Sequence, residues 1–285
     1  SLLCDTLREI CGKGGRVGVP DGHETHVRMP LADFFRVKGA ADMPEIMGDG
    51  GIIRALRMVK SEAEIAKIET ACGIAGRAFD RVHEFAREGT PLETVFRRFQ
   101  MACLEEGADW VPYLAGGSGP DGYADVISPA TLEPLQTGDV LMLDTGLVHD
   151  GYFCDYDRNF GIGKASPLAK DAYKTLIEAT QSGFDAARSG ATAADLFQAM
   201  DKVLTGGEAR NDNGRLGHGL GIQLTEWPSL IPTDNTVLEP GMVLTLEPGI
   251  ETIAGHMLVH EENIVVTETG ARWLSSPAEP ELRII

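Results

Sequence analysis

The sequence has 285 residues, of which 43% are hydrophobic, so it can form a large core in one or two domains. Its formal net charge of −18 argues against nucleic-acid backbones and anionic membranes as partners, and it favours cationic or metal ligands. The five cysteines form no CxxC pair, no apolar run approaches the roughly 20 residues of a membrane span, and no signal peptide is recognisable, so we expect a cytoplasmic protein.

The first fifty residues are predicted to be a separate and incomplete unit. They contain a helix, a short strand at Arg16–Val19 and a loop-rich passage, which is too little to close a sheet. We therefore interpret residues 1–50 as the tail of a preceding domain and residues 51–285 as the main domain. Asp49-Gly50-Gly51 is the predicted linker.

Two amphipathic helices are predicted to open the main domain. Ser61 and Glu64 form a capping box for the first helix, and Gly89 is predicted to end it. The second helix is predicted to begin at Thr90-Pro91 and to end near Gly107. Apolar residues at helical spacing predict the buried face of the first helix: Ile65, Ile68, Cys72, Ala75, Phe79, Val82 and Ala86.

The segment GDVLMLDTGLVHDGYFCDYDR, residues 138–158, places two acids at the predicted ends of apolar or aromatic strands. Asp144 follows an apolar run, and Asp155 comes eleven positions later, beyond a turn at His149-Asp150-Gly151. A carboxylate in a buried strand is costly unless a cation or a proton neutralises it. On adjacent antiparallel strands the two acids would face one point, which predicts a metal site. The alternative is that both acids merely flank a hairpin turn.

The helix pair recurs after this segment. Ser166-Pro167 is predicted to begin a helix that ends at residues 187–190, and Thr192 with Asp195 is predicted to cap the next helix. The order helix, helix, strands therefore occurs twice. This order predicts a duplicated α+β unit with a ligand site where its halves meet.

The acidic strand recurs as well. The motif GDVLMLDTG reappears later in the chain as GMVLTLEPG, which puts Glu247 at the place of Asp144. A further strand supplies Glu261 or Glu262 at the place of Asp155. The sequence therefore predicts four inward carboxylates in two related pairs.

A histidine between glycines completes the candidate site. His218 lies in LGHGLGIQLTEWP, where glycines let the backbone approach closely and an imidazole reach into a cleft. Such a histidine on its own is more often structural. Beside four convergent acids it suits a pair of divalent cations, whose four charges balance four anions.

Together these motifs resemble the metal-dependent pita-bread hydrolases of family M24, which include methionine aminopeptidase, proline aminopeptidase, prolidase and the metal-free creatinase. The resemblance covers roughly residues 54–273. It implies a pita-bread fold with a curved, mainly antiparallel sheet, a homodimer, and two divalent ions of Mn, Co, Zn or Fe. The implied ligands are Asp144, Asp155, His218, Glu247 and Glu261.

The last ligand is a choice between two neighbouring acids. The final Glu of the family usually precedes a Thr by six positions, and Thr267 meets that spacing for Glu261. The resemblance therefore favours Glu261, while Glu262 stays open.

The resemblance implies an Xaa-Pro dipeptidase or aminopeptidase, with Glu247, Glu226 and Thr225 as catalytic candidates. The family's peptidases usually carry a histidine where this chain has Thr225. They also usually carry a histidine ahead of the first Asp ligand, whereas residues 84–148 contain none, and often an Arg where this chain has Val259. Because these groups stabilise the tetrahedral intermediate, alternatives stay open: a hydrolase of small-molecule amides, a lyase, or an inactive binding protein.

Overall fold

The computed structural model describes residues 1–22, 25–127, 129–208 and 214–285. The chain divides into two compact units, Ser1–Met58 and Val59–Ile285. This division lies a few residues beyond the predicted boundary at residues 50 and 51. The assignment of the first unit to the tail of a preceding domain stays a prediction.

The first unit contains more regular structure than the sequence predicted. Its elements are α1 (Leu2–Cys11), β1 (Arg16–Val19), α2 (Leu31–Lys38), β2 (Glu45–Gly48) and α3 (Ile52–Met58), and β1 pairs with β2 in parallel. The prediction missed α2, β2 and α3. Neither α2 nor α3 has a fully buried residue, and Pro30, which precedes α2, caps it with no side-chain hydrogen bond, so α2 lacks both a buried face and a capping side chain.

The helices of the second unit follow the predicted order. They are α4 (Glu62–Asp80), a 3₁₀ turn (Val82–Glu84), α5 (Leu92–Glu105), α6 (Pro167–Ala186) and α7 (Ala193–Leu204). Both predicted capping boxes form, at Ser61 with Glu64 and at Thr192 with Asp195. In the part of the chain that is described, no helix combines the length and the apolar character needed to cross a bilayer.

The first of these helices ends earlier than predicted. The sequence placed its end at Gly89, whereas α4 ends at Asp80 and the 3₁₀ turn follows. Val82 and Ala86 lie beyond the helix, but both are fully buried. Their burial continues the apolar pattern past the last helical turn, and this explains the error.

The strands of the second unit form two sheets and a hairpin. They are β3 (Trp110–Pro120), β4 (Asp139–His149), β5 (Tyr152–Phe153), β6 (Tyr156–Gly161), β7 (His218–Gly219), β8 (Glu226–Ser229), β9 (Val243–Leu246), β10 (Gly249–Ile253), β11 (His256–Val259), β12 (Glu262–Val266), β13 (Ala271–Trp273) and β14 (Arg283–Ile284). One sheet has the order β14-β6-β4-β3, with β5 beside β4, and the other has the order β13-β12-β9-β7-β8. The pairs are antiparallel except β14 with β6. The predicted α+β class is confirmed.

The duplication is visible in the strand pairing. In the first half β4 lies between β6 and β3, and in the second half β9 lies between β12 and β7. Asp155 directly precedes β6, as Glu261 directly precedes β12. Asp144, however, lies inside β4 and not at a strand end as predicted, because β4 continues pairing with its neighbours as far as His149.

Aromatic side chains fill the core between the first helix pair and the first sheet. Phe79 on α4 contacts Phe99 on α5 and Tyr156 on β6, with ring centroids 4.8 and 5.2 Å apart. The buried Tyr156 hydroxyl donates a hydrogen bond of 2.7 Å to the Cys72 carbonyl. These contacts fix α4 against the strand that follows Asp155.

This core generates a stability prediction. Phe99 is fully buried, so Phe99→Ala leaves a cavity and should lower the free energy of unfolding by about 3–5 kcal/mol. Leu104 lies on the same helix but is 51% exposed, so Leu104→Ala serves as the control and should cost less than about 1 kcal/mol. Urea unfolding followed by circular dichroism measures both values. Equal losses in the two variants would contradict the assignment of this core.

Candidate metal centre

Two neighbouring strands of the first sheet bring three acids together. β4 and β6 are antiparallel with Asp144 directly opposite Asp157, and opposed residues in such a pair project to the same face. Asp155 lies two positions before Asp157. Asp144 is only 8% exposed, Asp155 3% and Asp157 1%. These three carboxyl groups are therefore almost inaccessible to solvent.

The second half contributes an imidazole and two further acids. His218 begins β7, Glu247 follows β9, and Glu261 precedes β12. Asp155, His218 and Glu261 each offer a ligand atom, and these atoms all lie within 4.8 Å of one another. Asp144 and Glu247 are outside this tight group, but both lie close enough to raise the pKa values of Asp155 and Glu261. The five predicted ligands therefore share one buried region.

Reciprocal hydrogen bonds hold the two halves in register. The Asp155 amide donates to Asn263 Oδ1 at 3.0 Å, and the Glu261 amide donates to Asp157 Oδ1 at 3.1 Å. The Asn263 side-chain amide also donates to the Asp155 carbonyl. Each acid at a strand start is thus anchored by a side chain from the other half.

Several carboxylate oxygens in this region have no hydrogen-bond donor. Asp144 Oδ1, Asp157 Oδ2 and Glu261 Oε1 are buried and unpartnered among the described residues. Buried polar atoms in native proteins nearly always have a partner. Orphaned oxygens on three neighbouring acids are what a bound cation would leave when it is removed, so the donor set fits a metal centre.

Burial and mutual repulsion strongly raise the pKa values of the acids. Burial and the neighbouring carboxylates raise the pKa values of Asp144, Asp155 and Glu261 well above those of ordinary carboxyl groups. Burial also raises the pKa of Glu247 to about 7, although the positive charge of Arg215 opposes the shift. A divalent cation would reverse these shifts by stabilising the ionised forms.

The imidazole is neutral and oriented for ligation. Burial, with Arg215, lowers the pKa of His218 to about 3. Its Nδ1 lies 2.8 Å from the Gly219 carbonyl, so Nδ1 carries the proton and donates it to that oxygen. The Nε2 lone pair then lies 3.4 Å from Asp155 Oδ2. Two acceptors facing each other at this distance are explained by a cation between them.

The acid that follows Glu261 has its own cation. Glu262 forms a 3.0 Å ion pair with Arg158, whose guanidinium also lies 4.6 Å from the Tyr156 ring centroid. Although burial opposes the shift, Arg158 and His260 lower the pKa of Glu262 to about 2. These contacts occupy Glu262 and favour Glu261 as the ligand.

The two remaining catalytic candidates lie in the bend after β7 and at the start of β8. Glu226 is buried, forms a 3.1 Å ion pair with Lys60 and accepts a 3.1 Å hydrogen bond from the Gln223 amide. A Cβ at Gly146 would lie 2.1 Å from Leu224 Cδ1, so the glycine lets this bend pack onto β4. Thr225, between Leu224 and Glu226 in the sequence, is partly exposed. Their catalytic roles stay predictions.

The sequence interpretation missed several residues around the acids. Asp157 and Asn263 were detectable, because aligning the two copies of the acidic strand places them opposite each other, two positions after Asp155 and Glu261. Tyr113, which favours the ionised form of Asp144, had no such signal. The same holds for Arg215, since an exposed arginine in a loop is unremarkable in a sequence.

The chain is similar along most of its length to proteins that are named as dipeptidases. It is 29% identical over 255 residues to an Xaa-Pro dipeptidase from Pyrococcus horikoshii, covering 87% of this chain and 71% of the relative. It is 34% identical over 245 residues to the probable dipeptidase PepE of Mycobacterium bovis, covering 85% of this chain. It spans 63% of that relative, which is less than two thirds of its length.

Solved structures and family models agree with these similarities. The crystal structure of dipeptidase PepE from Mycobacterium ulcerans superposes with a TM-score of 0.86 at 30% identity, covering 100% of this chain and 75% of that one. Residues 66–268 match the family model described as metallopeptidase family M24. The similarity covers both halves of the second unit and every predicted ligand, and the chain belongs to metallopeptidase family M24.

Proposed function

We propose that the chain is a dinuclear metal-dependent hydrolase of Xaa-Pro dipeptides, with Asp144, Asp155, His218, Glu247 and Glu261 as metal ligands. The observation that carries the proposal is the group of buried, unpartnered carboxylate oxygens beside a neutral imidazole. The substrate class follows from relatives that are named Xaa-Pro dipeptidase and dipeptidase PepE.

Charge balance supports two ions. Four ligand carboxylates carry four negative charges when ionised, and two divalent cations would neutralise them at a site where three of the four, Asp144, Asp155 and Glu261, are buried. Oxygen ligands with one imidazole admit Mn, Co, Zn or Fe, so the ligand types do not select one metal. The homodimer and the cytoplasmic location expected from the sequence stay predictions.

The chain's own residues supply positioning and proton transfer. Bound divalent ions would supply a Lewis acid and a water acidified to near neutrality. Glu247 is the most exposed of the proposed ligand carboxylates, which makes it the one best placed to exchange a proton with substrate or solvent. The Tyr113 hydroxyl lies close enough to Asp144 to favour the ionised form of that carboxylate. Leu224 packs the bend after β7 against Gly146 of β4.

A second candidate function rests on Thr225. A threonine hydroxyl is shorter than an imidazole and cannot carry positive charge, so it stabilises a developing oxyanion less well. An M24 enzyme with this residue is suited to a substrate that brings its own activation, such as a strained cyclic amide. We therefore keep a small-molecule amide hydrolase as the alternative.

The first prediction concerns metal content. Protein purified without chelator should hold about two divalent ions per chain, and Asp144→Asn should lose at least one of them. Asp139→Asn is the matched control, because Asp139 is buried on the same strand and its carboxylate accepts a hydrogen bond from the Gln136 amide. Elemental analysis after gel filtration measures the occupancy. About two ions per chain in Asp144→Asn would contradict the assignment of Asp144 as a ligand.

The second prediction concerns the metal-free protein. A buried carboxyl group with a raised pKa stays protonated in the folded state while its unfolded counterpart ionises, so folding becomes less favourable as pH rises through that interval. After chelation the melting temperature should fall as pH rises from about 4.5 to about 7, the pKa of Glu247. Added Mn²⁺ should restore it at pH 7. A melting temperature that rises steadily across this window would contradict the charge argument.

The third prediction concerns the substrate. If the substrate is an ordinary Xaa-Pro bond, Thr225→His restores an oxyanion donor and should raise kcat by up to about 10²- to 10³-fold. Ala-Pro and Gly-Pro hydrolysis by the Mn²⁺-loaded proteins measures this, with Thr225→Leu as the control for bulk, because leucine has no hydrogen-bond donor. Unchanged or reduced turnover in Thr225→His, together with turnover of a cyclic amide by the native chain, would favour the alternative.

A further inference from the structure

Asp157 and Asn263 occupy equivalent positions in the two halves. Each lies two residues after an acid at a strand start, Asp155 in the first half and Glu261 in the second. Each accepts the backbone N–H of the other half's acid through its Oδ1, at 3.1 Å for Asp157 and 3.0 Å for Asn263. The two side chains therefore share one structural task.

That task does not require a charge. Asn263 performs it with a neutral amide, whose nitrogen is also used as a donor to the Asp155 carbonyl. In the first half a carboxylate replaces the amide, at a position that is 1% exposed. Burying a charge without compensation is costly, so the second oxygen of Asp157 needs a function beyond anchoring the backbone.

The lack of a partner for Asp157 Oδ2 is explained by a bound cation. Asp157 Oδ2 is buried and has no hydrogen-bond partner among the described residues, and the same is true of Asp144 Oδ1. The two residues are directly opposed on β4 and β6, and Asp157 is the strongest charged neighbour acting on Asp144. Two buried carboxylates on directly opposed residues repel each other when both are ionised, unless a cation lies close to both.

His260 lies near Asp157 but does not neutralise its Oδ2 atom. His260 Nδ1 lies 3.4 Å from Asp157 Oδ1, the oxygen that already accepts the Glu261 amide. Its Nε2 lies 3.4 Å from Glu262, which is paired with Arg158. The imidazole therefore compensates the Oδ1 side of Asp157 and leaves Oδ2 unpaired.

We propose that Asp157 is a further carboxylate ligand of the metal centre, in addition to the five residues named above, and that it binds through Oδ2 on the side of Asp144. The proposal rests on the proposed metal centre and extends it. With Asp157 the ligand set contains five carboxylates; two divalent ions neutralise four of these charges, and His260 and Arg158 lie close enough to Asp157 to stabilise the fifth.

The test replaces Asp157 with asparagine, the residue that the second half has at the equivalent position, Asn263. In Asp157→Asn the remaining side-chain oxygen can still accept the Glu261 amide, as Asn263 Oδ1 accepts the Asp155 amide. The anionic Oδ2 is replaced by a neutral NH₂ group. Calorimetric titration of the chelated full chain with Mn²⁺ should show that the variant loses one of two binding events or weakens it by more than about 100-fold, which exceeds the usual effect of an outer-sphere residue.

Two comparison variants separate a ligand from a positioning residue. Asp139→Asn removes a buried acid elsewhere on β4 and should bind Mn²⁺ like the native chain. His260→Gln removes the neighbour of Asp157 but leaves the carboxylate, and it should weaken binding by no more than about 10- to 100-fold. If Asp157→Asn and His260→Gln weaken binding equally, Asp157 acts only through His260 and the proposal is overturned.

The outcomes also distinguish this proposal from the proposed function. Native binding in Asp157→Asn with lost binding in Asp144→Asn overturns the role of Asp157 alone. Native binding in both variants overturns the metal centre itself. If Asp157→Asn does not fold, a crystal structure of the native chain with Mn²⁺ decides. An Asp157 oxygen within about 2.0–2.4 Å of the metal supports the proposal, and a separation beyond about 3 Å refutes it.

Discussion

The second unit depends on neutralising carboxylates that it has removed from water. Asp144, Asp155, Asp157 and Glu261 are all at most 8% exposed, and they lie where the two halves meet. Isolated charges in such surroundings carry a penalty of several kcal/mol each. Arg158 and His260 compensate Glu262 and one side of Asp157, but the remaining acids lack a described cation at hydrogen-bond distance. The fold is therefore built around a centre that protein groups alone leave unbalanced.

The strand pairing explains how this concentration of charge is held in place. β4 and β9 are central in their sheets, so the backbone groups around Asp144 and before Glu247 are paired on both sides. The reciprocal bonds from Asn263 and Asp157 then fix the two acids that precede β6 and β12. A rigid frame of this kind presents ligands to an ion without the cost of ordering them on binding.

Much of this arrangement could be predicted from the sequence, because it is repeated. Both capping boxes, the helix order and the α+β class follow from local patterns that occur twice. The missed features depend on contacts between distant segments. The ion pair of Lys60 with Glu226 joins residues 166 positions apart, and no local pattern marks it. The end of α4 was misplaced because buried residues in an irregular segment imitate a helical face.

The reciprocal bonds between the halves make each half depend on the other. Each half holds the acid of the other, so neither half alone can assemble the complete set of proposed ligands. A single copy of the repeated unit would complete such a set only by pairing with a second copy, and the site would then lie at the interface. Two identical copies cannot differ at equivalent positions, so the amide of Asn263 opposite the carboxylate of Asp157 is an asymmetry that a symmetric homodimer could not have.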